Sequence, residues 1–564
     1  MNINNQILLV VFLAINLPSL YAQPGDTSPD LTAQVDALFK NWDTKETPGA
    51  SVAIVKNGKI VYKKGYGMAN LEYGIPNSPS TVFHIASVSK QFTVFAIMLL
   101  QKDGKLSLED DVRKYIPEVP DFGKTITLRH LASHTSGMRD QWNLLVMAGW
   151  RFDDVITKEH VMKLVRKQKE LNYEPGEELL YCNTGFTLLA EVVARVSGQT
   201  FAEFTEERIF KPLNMSSTLF YDDHEKIVRN RAYSYRRAED GTYKKSVLSY
   251  ANVGATSLFT TVEDLSLWAM NFQQPKVGNN AIFNIMNTQT VLNNGTIESG
   301  ALGQFVTPYK GLKQIQHGGA DAGYRTYLAR FPDQNFAVIV FSNEASFNPG
   351  GLAHQIADIY LKNDFPKQGA AKSKPAKYLK LSTKELDEYS GTYWYDVENY
   401  SRKIYLKDDT LRYWRNERSE DPIVPVAKGE FKMITSPGDF RVKFSKDSQG
   451  KSIMVVTIDG VDPSTMVAYQ SEKFTQEKLH LYTGTYYSDE LSTYYDLKIK
   501  DDRLIMEHMR IPDITLTPIM TNRFSGSTYF MGYVEFTRNG ENQVTGFKVS
   551  NGRVRNLTFQ KVID

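Results

Sequence analysis

The chain has 564 residues and a mass of 64.1 kDa, which at ~150 residues per domain corresponds to three or four domains and excludes one small module. Hydrophobic residues make up 41% and charged residues 23%, close to an average soluble globular chain, so disorder, collagen and coiled coil are excluded as the main state. Lys+Arg total 66 against 64 Asp+Glu, a formal net of +2, and this balance gives no electrostatic reason to expect nucleic acid as a partner. Cys182 is the only cysteine, which removes intrachain disulfides and cysteine-based zinc or iron–sulfur sites from consideration.

An apolar run from Ile7 to Leu17, followed by Pro18 and a small residue at Ala22, reads as a secretory signal covering 1–22. The run is too short for the ~20 residues a membrane-spanning helix needs. A secreted or periplasmic protein without stable membrane insertion is expected.

Leu31, Val35, Leu38 and Trp42 recur at helical spacing after Pro29-Asp30, which predicts an amphipathic first helix. The apolar runs Ala50–Val55 and Ile60–Tyr66 flank Asn57-Gly58 and predict a hairpin. Gln314–His317, Tyr324–Phe331 and Phe336–Phe341 read as three later strands, closed by a helix from Leu352 to Leu361. Mostly helical patterns lie between the two strand groups, so residues 29–363 form an α+β unit: an antiparallel sheet flanked by helices, with a helical insertion. The segment 364–377 turns to Pro, Gly, Ala, Ser and Lys and reads as a linker. Beyond it the chain repeats. Ser390-Gly391-Thr392-Tyr393 returns as Thr483-Gly484-Thr485-Tyr486, Lys407-Asp408-Asp409 as Lys500-Asp501-Asp502, and Phe431 as Phe524, all displaced by 93 positions. Short alternating runs and turn residues in both copies predict two small antiparallel β-barrel domains, 378–470 and 471–564.

Three segments carry potential chemistry. Ser87 and Lys90 lie one helical turn apart at the head of an apolar helix running through Phe92, Phe95 and Leu99 to Gly104. That spacing lets an amine take a proton from a hydroxyl, while the helix N-terminus offers amide N–H groups to an oxyanion. A second Ser-x-x-Lys, Ser448 to Lys451, falls in a hairpin turn and reads as solvated surface. Tyr181-Cys182-Asn183 follows Pro175-Gly176 and precedes an apolar helix from Thr187 to Val196. Its phenol can shuttle a proton and its amide can hold a carbonyl, although Tyr250-Ala251-Asn252 has the same form. His317-Gly318-Gly319 places two glycines at a strand edge, where a substrate backbone can approach closely.

The order Ser-x-x-Lys, Tyr-x-Asn, His-Gly-Gly resembles the serine β-lactamase and penicillin-binding protein superfamily, in its class C-like branch of serine hydrolases. The resemblance spans roughly Leu31 to Asn363 and includes Leu131-Ala132-Ser133-His134-Thr135-Ser136-Gly137-Met138. It implies that Ser87 is the acylated nucleophile, Lys90 its proton acceptor, and Tyr181 the acid–base group. Asn183, His317 and Gly319 would bind substrate, and the backbone N–H groups of Ser87 and Ala320 would form the oxyanion hole. Tyr181 is preferred to Tyr250 because its flanking context matches the family's. No Lys-Thr-Gly or Lys-Ser-Gly triplet occurs in the chain, so a permanent cation is replaced by His317, which is mostly neutral at pH 7.

His-Gly-Gly followed by two barrels is similar to the D-stereospecific aminopeptidases, whose barrels can send a loop into the active site; the sequence identifies no such loop. The resemblance implies an acyl-enzyme hydrolase of small amides or peptides. An esterase, a D,D-carboxypeptidase or a weak β-lactamase are neighbouring alternatives, and a non-catalytic peptide- or glycan-binding scaffold is an alternative of another class. No cofactor is implied. His130 and His134 are four apart but lack the zinc-peptidase glutamate between them, so no metal is expected. Cys182 reads as a packing residue whose position beside Tyr181 offers thiol modification as a route to inactivation.

Overall fold

The computed structural model describes residues 29–366, 378–397, 399–416, 419–436, 439–458 and 461–562. The proposed signal segment and nearly all of the proposed linker lie outside these residues. No helix among the described residues is long and apolar enough to cross a membrane.

The first unit is built on a seven-stranded antiparallel sheet. Its strands are β1 (Ala50–Lys56), β2 (Lys59–Tyr66), β3 (Gly300–Ala301), β4 (Gln304–Tyr309), β5 (Leu312–Asp321), β6 (Tyr324–Phe331) and β7 (Phe336–Ser342), in the order β3-β4-β5-β6-β7-β1-β2. The hairpin between β1 and β2 turns at Asn57 and Gly58, both at positive φ (52° and 73°), the backbone that a tight right-twisted hairpin requires. Every residue of β7 is buried, which explains its uninterrupted apolar run: both faces of the sheet are covered. Val52, Ile54, Val338 and Val340 pack against the first helix (Pro29–Phe39) and the last (Pro349–Tyr360). Ala53, Val55, Ile339 and Phe341 face the larger core that holds the inserted helices, among them Lys90–Lys102, Asn183–Ser197 and Val262–Asn271.

The C-terminal repeat forms two closed eight-stranded antiparallel barrels, the first from Gly391–Tyr395 to Val461–Tyr469 and the second from Gly484–Ser488 to Val554–Lys561. Each follows a short helix, Thr383–Asp387 or Gln476–His480. Closure pairs every strand on both edges, so neither copy carries an open sheet edge.

The two barrels are placed differently. The second is seated on the first unit and shares its hydrophobic core, whereas the first has a core of its own. Trp394 of the first barrel packs against Tyr533 of the second with ring centroids 5.2 Å apart, joining the two. The seat of the second barrel centres on Arg139. This fully buried guanidinium pairs with the carboxylate of Glu490 and donates to the Arg555 carbonyl at 2.9 Å. Around it, Arg555 forms a two-pronged pair with Glu178 (2.9 and 2.8 Å), and Asn172 bonds the backbone of Arg553 and Arg555. Arg139→Ala would leave the Glu490 carboxylate buried without its cation, an arrangement that costs about 3–5 kcal/mol. We expect a loss of that size in urea unfolding followed by tryptophan fluorescence.

Candidate active site

The sheet, the inserted helices and the second barrel meet around a cavity of about 580 Å³ whose lining includes Ser87, Tyr181, His317, Ala320, Asp321 and Arg553. Ser87 stands in a 3-10 turn, Ala86–Ser89, that leads directly into the helix beginning at Lys90. Three residues per turn bring positions three apart into line, so the Lys90 Nζ lies 3.2 Å from the Ser87 Oγ. Ala86, immediately before the serine, has a left-handed backbone with φ of 48°, a conformation that costs a non-glycine residue about 1–3 kcal/mol. It is held there by its surroundings. Thr326 donates to the Ile85 carbonyl at 2.9 Å, and β5 runs so close that a Cβ on Gly319 would sit 2.4 Å from that same carbonyl oxygen. The space at Gly319 is therefore taken by the Ile85–Ala86 backbone, and its missing side chain serves this packing.

Lys90 is fully buried. Its Nζ has two further partners, Asn183 Oδ1 at 2.8 Å and the Ala255 carbonyl at 2.7 Å. Burial pulls the ammonium down to about 7, against the opposing pull of Asp321 and Asp140, and the nearby Arg553 lowers it further. A neutral amine has two hydrogens and one lone pair. With the hydrogens given to Asn183 and Ala255, the lone pair is left for the Ser87 hydroxyl, the arrangement that lets an alcohol lose its proton to an amine.

Tyr181 sits against this pair. Burial raises its phenol well above the ordinary tyrosine value, while its hydrogen bond with Ser87 and the charge of Arg553 pull the other way. The ring stacks on His134 with centroids 4.2 Å apart, and the Arg553 guanidinium lies 4.8 Å from its centroid. Tyr250, the competing position, is buried against Trp142. His317 is buried in its interior, neutral, with its pKa lowered to about 3 chiefly by burial and secondarily by Lys90. Its Nδ1 is 2.6 Å from the Gly318 carbonyl, which makes Nδ1 the protonated nitrogen and leaves Nε2 as an acceptor without a protein partner. Cys182 is buried, its thiol donates to the Met138 carbonyl at 3.3 Å, and burial raises its pKa to about 12. The expected thiol modification is thus disfavoured in the folded chain, because neither the thiolate nor access to it is available.

The expected site residues Ser87, Lys90, Tyr181, Asn183, His317, Gly319 and Ala320 come together here, joined by His134 and by three residues the sequence did not single out, Asp140, Asp321 and Arg553. Asp140 accepts from both the backbone N–H and the side-chain Nδ2 of Asn183, each at 2.7 Å, and so turns the amide oxygen toward Lys90. His134 backs Tyr181 and accepts the Cys182 N–H at 3.0 Å. Asp321, its pKa raised to about 6 by burial, is held by Thr256. Arg553 enters from the turn between the last two strands of the second barrel. A trace of it exists in the sequence: the constant displacement of 93 aligns Arg553 with Gly460, so one copy carries a cation at a position where the other has glycine.

A serine hydroxyl, a buried amine, a phenol and an acceptor histidine thus stand together on a sheet-and-helix frame of β-lactamase type. The Beta-lactamase family model matches residues 35–360, and the chain belongs to that family. It is similar to a D-aminopeptidase of Gluconobacter oxydans (strain 621H), 24% identical over 299 residues, covering 53% of this chain and 56% of that protein. It is also similar to penicillin-binding protein 4* of Bacillus subtilis (strain 168), 28% identical over 325 residues, covering 55% of this chain and 71% of the relative. The chain thus spans little more than half the length of the D-aminopeptidase. The octameric penicillin-binding protein homologue from Pyrococcus abyssi shares the fold, with a TM-score of 0.54 at 22% identity, over 78% of this chain and all of that one.

The titration of Lys90 has a definite sign. Above about 7 the amine is neutral and accepts a proton; below it the ammonium cannot. Acylation by an activated ester should therefore rise with pH through about 7, and Tyr181 should add no falling limb below ~10. A kcat/KM profile that stays flat between roughly pH 5 and 9 would contradict this placement of the base.

Proposed function

We propose that the chain is an acyl-enzyme-forming serine hydrolase of small amides or peptides, working in the manner of a D-aminopeptidase outside the cytoplasm. The observation that carries this reading is the three-way coordination of the Lys90 Nζ, with two acceptors on its hydrogens and the serine hydroxyl on its remaining position. In this reading Lys90 takes the Ser87 proton as Oγ attacks the carbonyl. The N–H groups of Ser87 and Ala320 receive the oxyanion. Tyr181, kept protonated, gives its proton to the leaving nitrogen and then helps activate water for deacylation. Asn183 holds the amine in place, and the free Nε2 of His317 accepts an N–H from the substrate. The export signal expected at 1–22 and the relative named D-aminopeptidase support this assignment.

A second reading rests on Arg553, whose guanidinium faces the cavity on the Tyr181 side. A cation there fits a carboxylate on the leaving group, as in a dipeptide or a D,D-carboxypeptidase substrate.

Ser87→Ala should abolish both the acylation burst and covalent labelling by a fluorophosphonate. A folded wild-type chain that takes no label would support the non-catalytic scaffold instead. A matched panel of D- and L-aminoacyl p-nitroanilides and dipeptides separates the amide readings. Arg553→Ala should raise KM for the free-carboxylate dipeptides ~10-fold or more and leave the p-nitroanilides unchanged, since a charge-assisted bond contributes about 1.5–3 kcal/mol. Equal effects on both would assign Arg553 to the shape of the cavity alone.

A further inference from the structure

The two barrels are copies of one another, yet one end of each has a different fate. In both, the residues that point into the barrel alternate with those that point out, and the inward positions near one mouth correspond at the displacement of 93: Arg402 with Tyr495, Tyr413 with Met506, Arg415 with His508, and Ile458 with Asn551. In the second barrel this mouth is stoppered by the helix Gln141–Met147 and the turn after it. Tyr495 donates to the Met147 carbonyl at 2.9 Å, Asn143 donates to Asn551 at 2.9 Å, and the His508 ring presses on Gly149 so closely that a Cβ there would lie 2.0 Å from it. In the first barrel the corresponding mouth holds a cavity of about 600 Å³, bordered by Arg402, Tyr413, Arg415 and Phe440.

The chemistry of that cavity differs from a spare docking surface. Ile404 and Leu411, one step deeper on the same strands, are buried in the barrel core, so Arg402 and Tyr413 form the floor of the mouth and not its outer wall. The Arg402 guanidinium stacks 3.8 Å from the Tyr400 ring centroid and donates to the Ser401 carbonyl at 2.9 Å. Arg415 is oriented by Asp421 and by Ser419 at 3.1 Å, and lies 5.1 Å from the Tyr413 centroid. Tyr413 and Phe440 meet edge to face at 5.4 Å. Two guanidiniums against one carboxylate leave a positive excess, and a stacked guanidinium is rigid enough to present its fork to a planar anion. The aromatic walls suit a flat ring beside that anion. Barrel mouths of this volume are common ligand sites.

We propose that the mouth of the first barrel is a binding site for a ring-bearing carboxylate, either a uronic acid or an aromatic acid, separate from the Ser87 cavity and independent of the catalytic reading above. The test is titration calorimetry on the full chain after treatment with a fluorophosphonate, using glucuronate against glucose and benzoate against benzamide. The expected result is saturable binding at one site per chain, at least ~10-fold weaker for the uncharged partner of whichever pair binds. Arg402→Gln should weaken that binding at least ~10-fold and leave ester hydrolysis by untreated protein unchanged. Arg402→Tyr, which introduces the side chain tolerated at the matching point of the second barrel, should do the same and guards against misfolding of the first variant. Equal affinity for charged and uncharged partners, binding that survives both variants, or no saturable binding up to roughly 10 mM would overturn the proposal.

Discussion

The structure turns on a lysine amine taken out of water. Moving an ammonium into a protein interior is expensive, and the usual outcome is that the group gives up its proton. At Lys90 burial moves the amine toward that outcome. The interior supplies two acceptors, Asn183 and Ala255, which suit an amine with two hydrogens. Each has a reason to be where it is: Asn183 is fixed by Asp140, and Ala255 belongs to the segment whose Gly254 carbonyl accepts from Thr93 one turn further along the same helix. Without these partners the amine would turn away from Ser87. The strained backbone at Ala86, the glycine at 319 and the neutral ring of His317 all follow from packing a strand against the turn that carries this pair.

The repeat places two copies of one barrel in different surroundings. The copy that seats on the first unit has Tyr495 and His508 where the other has Arg402 and Arg415, and these pack and bond to a helix. It has also placed an arginine in the turn that reaches the cavity. The other copy touches its neighbour through Trp394 and keeps its charged, aromatic mouth. The same lumen-facing positions dock a helix in one copy and line an open cavity in the other, and the difference lies in a few side chains rather than in the fold.

What could be read from the sequence followed from locality. Strands such as Phe336–Ser342 were legible because burial on both faces makes them uniformly apolar, and the barrels because duplication leaves a constant displacement. Ser87 and Lys90 were legible because their partnership spans a single turn. Cys182 was legible as a packing residue, and its burial in the core makes it one; only its accessibility to modification was misjudged, since that depends on how the fold covers it. Asp140 was not singled out: it caps the helix Gln141–Met147, and its grip on Asn183 depends on two elements meeting in space. Arg553 lies hundreds of residues from Ser87, so its place beside Tyr181 depends on the docking of a whole domain, to which periodicity is blind. Gly319 lines the cavity as expected, and what the sequence does not show is that the direction its side chain would take is filled by the Ile85–Ala86 backbone.

The seating of the second barrel also bears on synthesis. As the polypeptide leaves the ribosome, the sheet and its inserted helices can collapse early, but the wall formed by Arg553 and the anchoring fork of Arg555 reach them only after translation has passed both barrels. A nascent chain halted between the two copies would hold Ser87 beside Lys90 with one side of the cavity open to solvent. Full confinement of a bound molecule therefore waits for the second barrel, so that a chain synthesised only through the first barrel lacks one wall of the cavity.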